Sequence, residues 1–394
     1  MPNERLARFV LLPELKLTAT NPDGIGYTAF HAEKTSEMEV CPKCATPSTS
    51  IYDSRIVIVK DAPIRGKVVK LYIRKRRFRC RTCKRPFTEP VSGISKGRRF
   101  TQRYRAHLLW ACEKFVDLKS VKKHLDCSYG FIYKALYEQL ELSRKKNAYP
   151  WPRSIGIDEH KFKSAKKDSR TEFVSFIIDH KNRKAFEVVK GRTVEELEAS
   201  LYKISGRENV RWVTMDLSDP YRRFARRNFP NAEIVADKFH VARMLNPILN
   251  KRRKEITGDK RINPIRKLLL MSSHRLTYFT KQTIYQWLNS YPDIRELYEW
   301  KEGLLRFYRI RGYERARRTL ILMTDRMSQS KLPEIQTLRR TLLSWFNEIL
   351  CYFKTMLTNA RVEGYNNKAK LIRKRAYGYR SFQNYRLRLL NACA

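Results

Sequence analysis

Hydrophobic positions along this chain recur with a period of two in some stretches and near 3.6 in others, and the switches between them mark its regions. Strand-like alternation comes first, in Leu11 to Leu17, in Ile56-Val57-Ile58-Val59 and in Val68-Val69-Lys70-Leu71-Tyr72-Ile73. Turn signals around Asn21-Pro22-Asp23-Gly24 make residues 1–38 a short lead-in. Helical spacing takes over from Thr101 to Phe115. Ser120 is then expected to cap Val121 to Leu125, and Ser128 to cap a helix through Ile132, Leu136, Leu140 and Leu142. Two short helices around a tight turn at Asp126-Cys127 resemble a helix-turn-helix over residues 96–150, with Tyr129 to Glu141, Lys134 included, as recognition helix. Generic three-helix packing is the alternative. Tyr149-Pro150-Trp151-Pro152 stiffens the chain and marks a boundary.

Beyond it strands and helices alternate. Ser154 to Phe162, Glu172 to Ile178 and Lys184 to Val189 read as strands, the last two joined as a hairpin at Asp179 to Arg183. Thr193 with Glu196 forms a capping box that opens a helix to about Ile204. Val210 to Met215 ends on Asp216, Asp219 to Asn228 is helix, and Glu233 to Ala236 ends on Asp237 before another helix. The order β-β-β-α-β-α-β-α is that of an RNase H-like fold, its first part spanning residues 151–256. The first and fourth strands of that fold lie side by side, so Asp158 and Asp216, 58 residues apart, would meet. Residues 257–357 are almost wholly helical and look like an insertion, with Trp287, Trp300 and Trp345 as buried anchors. Residues 358–394 return to the core as its C-terminal helical part.

Charge narrows the function. The 394 residues hold 83 basic and 39 acidic side chains, a net +44 spread along the chain, as a surface facing a polyphosphate would be. Nucleic acid is the expected partner. No run approaches the roughly 18 apolar residues of a membrane helix. The N-terminal apolar run stops too soon at Pro13 and Glu14 for a signal peptide, so a cytoplasmic protein is expected. Between Ala62 and Thr88 there is no acid, and Arg74, Lys75, Arg76, Arg77 and Arg79 belong to a basic block read as a phosphate-contacting face.

Cys41-Pro42-Lys43-Cys44 and Cys80-Arg81-Thr82-Cys83 are two knuckles able to hold one tetrahedral zinc, with the strands between them making a zinc ribbon over residues 39–95. A loop around Lys60 to Lys67 is expected to absorb the long separation. Four thiolates leave no open position, so this zinc is structural.

The acids carry the chemistry. Ile155-Gly156-Ile157-Asp158 is a β-prone run that ends on an acid before a basic turn, and a carboxylate there offers hard oxygen to magnesium. An Asp that merely makes a turn is the plainer alternative. Glu363 is one acid among nine basic residues between Arg361 and Arg388, and Asn359, Asn366 and Asn367 share roughly its helix face. Lys370, Arg373, Lys374 and Arg375 extend away from it as phosphate contacts. Asp158, Asp216 and Glu363 together would hold two magnesium or manganese ions for in-line phosphoryl displacement.

Several dispersed motifs fall in one order: the four cysteines, Ile157-Asp158-Glu159, Asp216 with Tyr221, Asp237-Lys238-Phe239-His240-Val241, Asn359 to Lys368, and Arg375-Ala376-Tyr377-Gly378-Tyr379. In this set, across nearly the full length, the chain resembles bacterial insertion-sequence transposases of the type called ISL-three. The resemblance implies a zinc finger, a helix-turn-helix and a DDE domain with a helical insertion. It also implies strand cleavage and transfer at inverted terminal repeats, next to the nucleoid, by a homodimer on duplex DNA. Either Asp216 or Asp237 could be the second acid, and the neighbouring strands favour Asp216. Asp237 and His240 match an auxiliary Asp-x-x-His element of related enzymes; His240 would serve as a metal-site residue or merely orient Asp237. Glu159 and Asn367 are further auxiliary residues, Glu159 on the opposite strand face. A catalytically inactive or co-opted DNA-binding protein is the alternative function. An RNA-directed nuclease is weaker, because the N-terminal modules look like duplex readers.

Overall fold

The computed structural model describes residues 11–24, 27–163, 171–258 and 264–394. They form two compact units: residues 1–143 with 375–378, and residues 144–374 with 379–394. The apolar run expected at residues 1–10 lies outside the described residues.

In the first unit the lead-in is part of a sheet. Strands β1 (Leu15–Gly24), β2 (Tyr27–Lys34), β5 (Ile51–Ile64) and β6 (Lys67–Arg79) lie in the order β1-β2-β6-β5, and β7 (Pro86–Thr88) adds to the end of β6, while β3 (Glu39–Val40) and β4 (Pro47–Ser48) pair with each other as a separate small sheet. β2 runs parallel to β6, a pairing between distant segments that local pattern does not reveal. The expected loop at Lys60–Lys67 is instead a two-residue turn. Arg65 and Gly66 both take positive φ (49° and 77°), the backbone that matches strand twist in a tight hairpin. The extra length between the cysteine pairs goes into strands of 14 and 13 residues. Val59, Val69, Leu71 and Ile73 point to one face and pack with Leu11, Leu12, Leu15, Val91 and Ile94.

Three helices follow, Gln102–Lys114, Leu118–Leu125 and Tyr129–Lys146. Asp117, not Ser120, caps the second: its carboxylate accepts from the Ser120 N–H at 2.8 Å, and negative charge suits a helix start. Asp126 turns the chain in the left-handed region (φ 45°), and the Tyr104 hydroxyl ties this corner by donating to the Leu125 carbonyl at 3.0 Å. Leu108, Val121, Leu125 and Ile132 are buried, whereas Leu142 falls on the exposed side.

The second unit is built on five strands in the order β10-β9-β8-β11-β12. They are β8 (Ser154–Lys163), β9 (Glu172–Asp179), β10 (Lys184–Lys190), β11 (Trp212–Met215) and β12 (Glu233–Ala236). β8, β11 and β12 are parallel; β9 is antiparallel to both its neighbours. The capping box at Thr193 and Glu196 forms as expected, and the helix Asp219–Asn228 has the expected bounds.

Alternation on β8 divides the apolar residues between two faces. Ile155 and Ile157 join a core with Ile177, Val213, Met215 and Phe224 that continues into the helices from Asn246–Thr257 to Phe346–Thr355. The helical block thus shares the sheet's core rather than forming a satellite. Its last helix packs beside the edge strand β12, where Lys354 Nζ meets Glu233 at 2.9 Å. Trp345 is buried, and Trp287 and Trp300 pack partly buried against the same core. On the other face, Phe162, Phe176 and Ile178 pack against Val362, Ala369, Tyr385 and Leu389 from the helices Ala360–Arg375 and Phe382–Ala392.

Gly156 sets how closely the Ala360–Arg375 helix approaches the sheet. A Cβ there would lie 2.9 Å from Thr214 Oγ1, 2.9 Å from Val362 Cγ2 and 3.0 Å from Asn359 Oδ1. Those neighbours are buried and cannot retreat. Gly156→Ala is therefore expected to destabilise the second unit by about 1–3 kcal/mol, as overpacking does. Denaturant unfolding of the full chain measures this.

Candidate active site

Three acids stand in a row where the parallel pairing of three strands ends. Met215 is paired with both Ile157 on β8 and Ala236 on β12, so Asp158, Asp216 and Asp237 follow at one level. β8 runs on past Asp158 to Lys163 against β9, close to the expected strand Ser154 to Phe162, and the basic residues after Asp158 form no turn. β11 stops at Met215, and Asp158 is the first residue of β8 without a neighbour on that side. A strand end borders an opening, and the crevice beyond the carboxyl ends of such strands is where ligands bind in open α/β sheets.

The electrostatics of the row are unbalanced. Burial first, and the Asp216 charge second, push the Asp158 carboxyl up to about 7. Each of its oxygens accepts one hydrogen bond: Oδ1 from the Glu159 N–H and Oδ2 from Asn366 Nδ2, both at 2.7 Å. His240 Nδ1 sits 2.8 Å from Asp216 Oδ1 and 3.1 Å from Asp237 Oδ2. Close polar contact with Asp216, then with Asp237, raises this imidazole to about 10. The contact to Asp216 is close but off axis, so the buried Oδ1 of Asp216 accepts no hydrogen bond.

With Asp216 and His240, Asp237 offers ligand atoms that all lie within 4.8 Å of one another. Asp237 is 2% exposed, and its Oδ1 accepts from the Asn359 N–H at 3.0 Å. Asn359 in turn donates to the Ile157 carbonyl (2.9 Å) and accepts from Thr214 Oγ1 (2.6 Å), pinning the start of the Ala360–Arg375 helix to β8 and β11. Glu363, exposed in the first turn of that helix, lies between Asn359 and Asn366 in helical register. Both asparagines touch β8 or its acid, whereas Glu363 itself is exposed. Asn367, expected as auxiliary, is exposed on the next face round; Asn366 occupies the site instead. Glu159 points to the opposite face and pairs with Arg192 at 3.2 Å.

Divalent metal fits this donor set. The Asp216 charge raises the proton affinity of buried Asp158, and the buried Oδ1 of Asp216 accepts no hydrogen bond, so the two carboxylates offer hard oxygens whose charge His240 offsets only in part. A pH dependence follows. Unfolded Asp158 would release its proton near 3.8, whereas the folded group holds it to about 7, so without metal this group removes stability as pH rises through that window. At pH 6 a cation must displace that proton; at pH 8 it need not. Magnesium is therefore expected to raise the melting temperature more at pH 8 than at pH 6, as read by calorimetry at the two pH values.

The cysteines form a closed site. Sγ atoms of Cys41 and Cys83 are 3.7 Å apart and those of Cys44 and Cys80 are 3.4 Å apart, and all four lie within 4.8 Å of one another. Tetrahedral zinc–thiolate bonds of about 2.3 Å require sulfur separations of about 3.8 Å, so the set fits a structural zinc. The two knuckles repeat one design: the Cys41 N–H donates to the Thr46 carbonyl and the Cys80 N–H to the Arg85 carbonyl, with Ala45 and Lys84 at positive φ.

The basic residues separate into two groups. Arg76 is not free for phosphate: it pairs with buried Glu89 at 2.8 Å and donates to the Ser36 carbonyl. Arg373 likewise donates to the carbonyls of Lys161 and Phe162. Arg77 is paired with Asp53 at 2.8 Å, and Lys75 is half-buried. Arg74, Arg79, Lys134, Lys370, Lys374 and Arg375 are exposed.

Comparison with known proteins agrees with this architecture. A transposase family of the ISL3 type matches residues 155–389, and the zinc finger of transposases IS204/IS1001/IS1096/IS1165 matches residues 37–83. The chain belongs to the ISL3-type insertion-sequence transposases. Among its relatives is the transposase for insertion sequence element IS1001 of Bordetella parapertussis, 22% identical over 383 residues, which are 93% of this chain and 92% of the relative. Among the described residues, no helix is long and apolar enough to cross a membrane.

Proposed function

We propose that this chain is an active DNA transposase that binds the terminal inverted repeats of an insertion sequence and cuts and joins their strands by a two-metal DDE mechanism. The observation that carries it is the juxtaposition of Asp158 with Asp216 where the parallel pairing of β8 with β11 ends, with the Glu363 helix pinned there through Asn359 and Asn366. Strand order β10-β9-β8-β11-β12, with only β9 antiparallel to its neighbours, supports an RNase H-like core.

Asp158, Asp216 and Glu363 are the acids that would hold magnesium. When bound, the ions lower the pKa of the attacking water or 3′-hydroxyl and stabilise the leaving oxyanion. The protein's own groups do the rest. Asp216 is the second acid and Asp237 its support, because one oxygen of Asp237 already accepts from the Asn359 N–H. His240, held between the two carboxylates, offsets part of their charge and fixes their orientation. The helices Leu118–Leu125 and Tyr129–Lys146, joined at Asp126, support a helix-turn-helix reader. Arg74, Arg79, Lys134, Lys370, Lys374 and Arg375 contact phosphates. Two copies on the paired ends supply two active sites.

The test is incubation of the full chain with magnesium and a labelled duplex carrying the element's own ends. Nicking at the end and joining to a target duplex are the expected results. End binding without cutting under magnesium or manganese would replace this reading with that of a DNA-binding protein.

A further inference from the structure

Beneath Asp158 lies a buried chain of polar groups that the cleavage chemistry does not itself use. His160, two residues along β8 on the same face, is 8% exposed, and its Nε2 is 2.5 Å from the hydroxyl of Tyr385, which is fully buried on the C-terminal helix Phe382–Ala392. Asn366, 6% exposed, donates from Nδ2 to Asp158 Oδ2 at 2.7 Å. His160 Nδ1 and Asn366 Oδ1 are both buried without a bond of good geometry, yet the two side chains interact. One nitrogen and one oxygen left over in the same buried cluster are a donor and an acceptor for each other.

We propose that Tyr385, His160 and Asn366 form a one-way hydrogen-bond relay that orients Asp158 for metal, making all three positioning residues. The directions follow from chemistry. Asp158 is ionised when it holds metal and can only accept, so Asn366 must present its NH₂ to it and its Oδ1 to His160. His160 must then carry its proton on Nδ1, and Nε2, left with a lone pair, accepts from the Tyr385 O–H. Removing that hydroxyl proton frees the imidazole to adopt the other tautomer. Nδ1 would then face Asn366 Oδ1 lone pair to lone pair, and the amide that turns to relieve this would aim its oxygen at Asp158. The C-terminal helix thereby sets the geometry of an acid 227 residues earlier in the chain.

The inference rests on Asp158 being a metal ligand, and one readout is independent of that. In the ¹⁵N spectrum of the full chain, His160 is expected to show a protonated Nδ1 and an unprotonated Nε2, and Tyr385→Phe to shift it toward the opposite or a mixed tautomer. In cleavage of the end duplex, Tyr385→Phe and His160→Leu are expected to raise the half-saturating magnesium concentration about tenfold, the scale of lost support to a metal ligand, with end binding unchanged. His160→Asn, which keeps a donor toward Asn366, should restore much of the magnesium affinity. If wild-type His160 carries its proton on Nε2, the relay is wrong whatever the enzyme's activity. If Tyr385→Phe loses activity only in step with stability, at an unaltered magnesium requirement, the cluster is packing alone.

Discussion

Asp158→Asn and Asp216→Asn are each expected to abolish strand cleavage and joining while leaving binding to the element's ends intact. The expected loss is about a thousandfold or more, since the removed metal contacts are worth several kcal/mol in the transition state and each 1.4 kcal/mol is a decade in rate. Both changes are nearly isosteric and sit at the mouth of the sheet, so packing is preserved. Glu363→Gln is expected to behave alike, because the exposed carboxylate has no packing role. Asp237→Asn should differ in kind. That side chain is 2% exposed and holds the Asn359 N–H and His240, so its loss lowers the melting temperature and only partly reduces cutting. Single-turnover cleavage, end-binding titration and thermal melting on the four variants separate the two behaviours.

Cys44→Ser is the second large effect, expected in a different place. Cys44 is exposed, so exchanging sulfur for oxygen costs little packing and removes chiefly a metal ligand. Structural zinc supplies on the order of 10–16 kcal/mol in small metal domains. The knuckles have little else: the strands Glu39–Val40 and Pro47–Ser48 are two residues each, and Ala45 and Lys84 occupy the left-handed region at some cost. The long β5–β6 sheet is different, because it has its own apolar core. Zinc content is therefore expected to fall from one per chain to near zero, and the knuckle end to open, while the sheet and the second unit melt as before. Basic residues beside the second knuckle, Arg79, Arg81, Lys84 and Arg85, would lose their placement, and the salt dependence of end binding should fall by about one unit per lost phosphate contact. Metal analysis and binding at two salt concentrations measure both.

Local signals in the chain are legible because the physics behind them is local. The Thr193–Glu196 box, the helix Asp219–Asn228 and the strand Glu233–Ala236 depend on neighbours a few residues away. What the sequence leaves hidden is set by distant partners. Asn366 rather than Asn367 enters the site because of a bond to Asp158 across 208 residues, and one residue of helix is a rotation of about 100°. Arg76 belongs to the acid-free block by sequence, yet Glu89, just past the end of that block, claims it. The β1 and β2 segments acquire meaning only when β6 pairs with β2 in parallel. Likewise Asp216 and Asp237 look equivalent as strand ends. In the structure they differ: Asp237 is buried and accepts from the amide of Asn359, 122 residues beyond it, whereas Asp216 Oδ1 accepts no hydrogen bond.

The central claim is that Asp158 and Asp216 are metal ligands and Asp237 is their support, and a change of metal preference tests it most directly. A thiolate in place of a carboxylate binds magnesium poorly and manganese better, because softer ligands favour softer ions. End cleavage would be measured for Asp158→Cys, Asp216→Cys and Asp237→Cys in magnesium and in manganese. Asp158→Cys and Asp216→Cys are expected to be inactive in magnesium and to regain part of their cleavage in manganese, with no such switch at Asp237. A switch at Asp237 and none at Asp216 would contradict the assignment, and none at any of the three would contradict metal ligation by this row of acids.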